Sequence, residues 1–216
     1  WIIMMFVPTP GQGQVMLEPG VNFAAWIDTY LTPGRLYRDT WDPEGFFSTF
    51  PAIASGITGM LAGTLILSKK TMEQKIIWLF TGGFLAATLG VVWSWHFPLN
   101  KALWTSSFVM ATSGLASMTL ATSLFLVDHL GYKKYARPWV IFGSNAITVY
   151  VLSGVLGYFF NGIKFGGASL KGHFMDLLIA MGSAPKFASL LCALLYVAIL
   201  FIPAIILYRK KIFIKL

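Results

Sequence analysis

WDPEGFFSTFPAIASGITGMLAGTLILS, residues 41–68, is the stretch that decides the fold. A polar junction ends at Gly45, and no charged residue follows until Lys69. The run from Phe46 to Ser68 exceeds the roughly 18–20 residues needed to cross a bilayer as a helix. The junction reads as a helix start. Asp42 is a good N-cap, because its carboxylate accepts from free N–H groups of a first turn. Pro43 suits the first helical position, which needs no N–H. Glu44 adds negative charge at the positive end of the helix dipole. The same acids, Asp42 and Glu44, are candidates for the wall of a polar site.

Working outward, four more runs lack Asp, Glu, Lys and Arg: Ile76–Trp95, Leu103–Val127, Trp139–Phe160 and Phe187–Tyr208. Five such runs in succession predict an all-α, polytopic integral membrane helix bundle. Composition agrees. Only 11% of residues are charged and 56% are hydrophobic, against about 25% charged in an average soluble domain. Mean hydropathy is +0.71.

The organisation follows from these runs. Residues 1–7 read as the end of a spanning helix that begins upstream, which makes five complete spans plus the end of a sixth. Residues 8–45 form a long loop punctuated by Pro8, Pro10, Gly11, Gly13, Pro19, Gly20, Pro33 and Gly34. Loops this long are usually functional or disordered. Within it, Asn22–Leu31 predicts a short helix capped by Asn22, with aromatic residues suited to the interface. Residues 46–216 form the membrane domain with a short basic tail.

Lys and Arg orient the chain. One set of connections carries Lys69, Lys70, Lys75, Lys133, Lys134, Arg137, Arg209, Lys210, Lys211 and Lys215, with Glu73 and Asp128 as its acids. The other carries Arg35, Arg38, Lys101, Lys164, Lys171 and Lys186, matched by six acids. The positive-inside rule places the first set, and the C-terminus, in the cytoplasm. The net charge of +8 therefore reads as topology and contact with membrane lipids. No nucleic-acid-binding motif is present, and nucleic acid is not an expected partner.

Packing signals are also legible. Ser55, Gly59 and Gly63 recur every fourth residue, as do Gly82, Ala86 and Gly90, so these neighbouring helices are expected to pair through them. Pro203 is expected to kink the last span. The lone Cys192 sits in an apolar run and reads as packing.

Candidate chemistry gathers on the loop side. Asn100, Lys101, Trp104 and Ser106 cluster at one helix start. They read either as an interfacial turn with a Trp anchor and a snorkelling Lys, or as a pocket wall in which Lys101 meets a phosphate or carboxylate. His96 abuts this turn and is the histidine best placed to meet Asp42 or Glu44. Ser144 and Asn145 interrupt the fourth span. A buried Asn there makes an interhelical hydrogen bond or faces a cavity. His129 and His173 lack metal-ligand spacing, and no metal is expected.

Four stretches together carry a resemblance: Trp41–Gly45, Phe97–Ser106, Gly143–Ile147 and Tyr208–Phe213. Their order and spacing resemble the C-terminal half of the heparan-α-glucosaminide N-acetyltransferase family and its bacterial relatives, membrane proteins of the DUF5009 type. The resemblance implies a membrane acyltransferase in a bacterial inner membrane. It implies acetyl-CoA or a related thioester as co-substrate, with no permanently bound cofactor, and an extracytoplasmic amino sugar or glycan as acceptor. The family's catalytic histidine belongs to an N-terminal half that nothing here matches, so that half is an expected partner and the catalytic residue is unassigned. Asp42, Glu44, Asn100, Lys101, Trp104 and Asn145 are the matching positions expected to line the acyl-CoA or acceptor path. A homodimer is a further expectation. The alternatives are a small-solute or lipid transporter module, and a scaffold that is inert without its other half.

Overall fold

A computed structural model describes residues 1–214 apart from Pro33, Arg35 and Asp39. The turn expected at Pro33 and the charges expected of Arg35, Asp39 and Lys215 lie outside the described residues. The chain is an all-α polytopic membrane protein and divides into two compact units, residues 1–131 and 132–216.

The first unit holds α1 (Ile2–Phe6), α2 (Phe23–Leu31), α3 (Phe46–Leu67), α4 (Met72–Trp93) and α5 (Ser106–Leu124), which runs into a π-helical turn, Phe125–His129. The helices α3, α4 and α5 with its π turn are each long and apolar enough to cross a membrane. Helix α2 starts where expected, with the Asn22 side chain accepting from Ala25 N–H at 2.8 Å. Helix α4 starts at a Thr71–Gln74 capping box, in which each side chain satisfies the other's backbone N–H.

The glycines pair different helices from those expected. Helix α4 packs on α5, not on α3. A Cβ on Gly90 would sit 2.9 Å from the Ala111 Cα, and one on Gly114 would sit 2.8 Å from the Ala87 Cα. Gly59, Gly63 and Gly82 meet nothing within 4 Å. The reason is register: Gly83, one residue on from Gly82, shares the inward face with Ala87 and Gly90. Helix α3 touches α5 through a Thr58–Ser113 hydroxyl pair at 2.9 Å.

The second unit holds α6 (Lys133–Ser144), α7 (Ala146–Gly157) continuing into a π-helical turn (Tyr158–Gly162), a short antiparallel hairpin of β1 (Lys164–Phe165) and β2 (Ala168–Ser169), α8 (Leu170–Ala180) and α9 (Pro185–Arg209). The fourth expected span is not one helix. It breaks at Asn145, where α6 and α7 meet at a 72° bend. The expected loop between the last two spans contains the hairpin and α8. Helix α9 runs unbroken through Pro203.

The end of α9 is sharply closed. Lys211 adopts a left-handed φ of 56°. Ile212 N–H donates to the Leu207 carbonyl at 3.0 Å and Lys211 N–H to Tyr208 at 3.1 Å. These two bonds form a Schellman motif that turns the tail back on the unit.

Candidate functional site

At one end of the first unit, α2, the Trp41–Gly45 junction and the α4–α5 turn pack together. A small core of Met4, Ala24, Phe97 and Leu103, flanked by Leu17 and Phe47, holds them. Around it, Asp28, Asp42, Ser48 and Leu103 line a cavity of about 10 Å³, close to the room one water molecule needs.

Asp42 does not cap α3. Its carboxylate accepts from Glu44 N–H at 2.8 Å, a local turn that spends the side chain before the helix begins. The helix N-cap is Gly45, which has no side chain to offer. The cap comes from another element. Asp28, on the buried face of α2 and only 2% exposed, accepts from Phe47 N–H at 3.0 Å. Gly45 is required there, because a Cβ at that position would overlap the Asp28 carboxylate. Burial pushes the Asp28 carboxyl above its ordinary range, and the nearby charge of Asp42 adds to this. The Phe47 and Phe46 N–H groups pull in the opposite direction without cancelling the rise.

Asp28 is the site residue that sequence reasoning missed. The available signal was its position four residues after Ala24 on a short helix, an acid sharing a face with small apolar residues.

Asn100 and Trp104 build the α4–α5 turn. The Asn100 side chain accepts from Leu103 N–H at 3.1 Å and donates to the Leu17 carbonyl at 3.4 Å. Thr105 and Ser107, both fully buried, close the turn through the Pro98 and Phe97 carbonyls. Trp104 takes a left-handed φ of 51°. Its indole N–H donates to Ser55 Oγ of α3 at 2.9 Å, and its carbonyl accepts from the Trp1 indole at 2.9 Å. Lys101 and Glu44 are exposed. His96 lines a groove with Met5, Val15, Leu17 and Trp93, a set without a carboxylate. Among the described residues, His96 makes no ion pair with Asp42 or Glu44, a meeting that its place beside the turn left open.

Asn145 belongs to the second unit. It is 1% exposed, and its amide is spent on the returning tail. The Nδ2 donates to the Ile212 carbonyl at 3.0 Å, and Oδ1 accepts from Ile214 N–H at 2.9 Å. Among the described residues, no three His, Cys, Asp or Glu side chains gather as a metal site would require.

The arrangement at the end of the first unit is a packed platform. It presents half-buried Asp42 and exposed Glu44 and Lys101 beside the hydrogen-bonded Asn100, Thr105 and Ser107. Human heparan-alpha-glucosaminide N-acetyltransferase is 31% identical over 185 residues, covering 82% of this chain and 25% of the human protein. The chain is a distant relative of heparan-alpha-glucosaminide N-acetyltransferase. The mouse protein of the same name is 28% identical over an alignment of 250 positions, covering 100% of this chain and 36% of the mouse protein. The chain thus spans between a quarter and about a third of the length of these relatives. No family model matches it.

Proposed function

We propose that this chain forms part of a membrane acyltransferase that moves an acetyl or similar acyl group from a coenzyme A thioester to the amine of an extracytoplasmic amino sugar or glycan. The similarity to an N-acetyltransferase over most of the chain carries this reading. In such a transfer the acceptor amine attacks the thioester carbonyl. The new N–C bond forms, the C–S bond breaks, the amine loses a proton to a base and the thiolate leaves. The base is not assigned to this chain.

The acceptor arrives as an ammonium ion, which sheds one proton to solvent before it attacks as the amine, and Asp42 and Glu44 would draw the cation by charge. Lys101 would meet an anionic group of the acceptor or the donor. Asn100, Trp104 and Asn145 act as positioning residues, since their polar atoms hold the α4–α5 turn and the tail. The protein would lie in a bacterial inner membrane, with its C-terminus cytoplasmic and the α4–α5 turn outside. That orientation rests on the Lys and Arg count.

The test is transfer of labelled acetyl from acetyl-CoA to glucosamine-type acceptors by the full-length protein in liposomes. Activity is expected, with Asp42→Asn raising KM for the amine more than it lowers kcat. No turnover with any amino-sugar acceptor, together with no binding of coenzyme A, overturns the reading. The broken span at Asn145 favours one alternative, since interrupted helices recur in transporters. Uptake of a small solute by the same liposomes without acyl transfer would establish it.

A further inference from the structure

The second unit contains a cavity of about 630 Å³ between α8, α9 and the π-helical turn. Small-molecule sites typically measure roughly 300–1,000 Å³. Phe174 and Leu177 of α8 and Leu195 of α9 form apolar walls. The floor is braced. The Tyr196 hydroxyl donates to the Ser153 carbonyl of α7, and its ring meets Phe160 edge-on at 5.6 Å.

The π-helical turn shapes one wall. It places the consecutive residues Phe160 and Asn161 against the same space, and Asn161 Nδ2 donates to the Gly157 carbonyl at 3.0 Å. Turns of this kind recur at functional sites. Among the described residues, Lys171 carries the formal charge of the lining. Lys171 and His173 border the cavity, and no Asp or Glu does. Lys171 is exposed and makes no ion pair among the described residues. His173 Nε2 is held by the Phe165 carbonyl, which fixes the ring against the hairpin.

Depth sets the class of ligand. Ser189, Cys192, Ala193 and Tyr196 line the cavity from α9, which begins at Pro185. At 1.5 Å per residue these positions lie about 6–17 Å below the helix end. That is close to one leaflet of a hydrocarbon layer about 30 Å thick. An apolar slot of this depth, with a free lysine beside it, matches a molecule with a long chain and an anionic head.

We propose that this cavity binds one anionic phospholipid, its acyl chain lying between α8 and α9 and its phosphate meeting Lys171. The site is separate from the acyl-transfer reading and does not depend on it.

Cys192 lines the cavity and reports on its occupancy. The full chain is placed in nanodiscs of phosphatidylcholine, with or without phosphatidylglycerol, and N-ethylmaleimide modification is followed at the peptide carrying Cys192. Phosphatidylglycerol is expected to slow modification several-fold. Lys171→Gln is expected to remove that protection and Lys171→Arg to keep it, with thermal unfolding midpoints in phosphatidylcholine alone unchanged from the parent chain. Native mass spectrometry is expected to show one retained phosphatidylglycerol per chain, lost in Ala193→Trp, which fills the slot. Equal modification rates in both lipids overturn the proposal. So does retention of no phosphatidylglycerol by the parent chain in native mass spectrometry.

Discussion

Asp28 ties the stability of the α2–α3 junction to pH. Its carboxyl is raised by burial, so the folded state holds the proton more tightly than the unfolded chain does. Below the ordinary aspartate range near about 3.9 both states are protonated and the contribution is fully present. It is lost as pH rises through the raised folded value. Asp28→Asn keeps an acceptor for Phe47 N–H and is expected to flatten this part of the pH–stability profile in thermal unfolding. Asp28→Ala removes the cap and is expected to cost about 0.5–2 kcal/mol. Asn145 makes a comparable residue-scale prediction. Asn145→Ala strips both bonds from the tail backbone and is expected to cost about 1–3 kcal/mol. Limited proteolysis should then release the residues after Lys211 first.

At the scale of elements, α4 and α5 form the tightest pair in the first unit because three glycines let their backbones approach. Gly90→Ala and Gly114→Ala each drive a methyl into backbone atoms that cannot yield. Each is expected to cost about 1–3 kcal/mol by overpacking. Gly59→Ala enters open space and is expected to leave the unfolding midpoint unchanged or raise it, since Ala favours helix over Gly. Differential unfolding in one detergent checks all three. Damage from Gly59→Ala equal to that from Gly114→Ala would overturn the α4–α5 pairing. The α4–α5 turn behaves as one object with this pair, because Trp93 Nε1 reaches Ser106 Oγ at 2.9 Å beside the Asn100 network.

At the scale of the whole molecule, the positive-inside rule predicts the direction of insertion from the basic ends of the helices. Lys70→Cys and Lys101→Cys are expected to label from opposite sides of the membrane. A membrane-impermeant maleimide should reach the Lys101 position in intact cells and the Lys70 position only in inverted vesicles. Labelling of both from one side would overturn the topology. Acyl transfer, proposed for the full-length protein, would use the face that carries Lys101, Asp42 and Glu44.

Membrane character, the five apolar runs and the capped α2 were legible because they depend on composition and on local spacing alone. A run of twenty uncharged residues has few other stable states, and Asn22 caps a helix wherever it stands. The resemblance of four short motifs to the acetyltransferase family was legible as well, and the relatives bear it out at the level of a distant relationship. The origin of the α3 cap was not. Asp42 and Asp28 are both acids near a helix start, and only the packing of α2 decides that Asp28 reaches Phe47 while Asp42 turns back on Glu44. The glycine pairing was equally hidden, since one residue of register moves a stripe to another face. Asn145 shows the same limit. Sequence marked it as a buried amide in need of partners, but the break in the helix and the tail that supplies those partners exist only once α9 has turned at Lys211. Tertiary structure decided each of these because the bonding groups lie far apart in the chain and compete with local alternatives of similar strength.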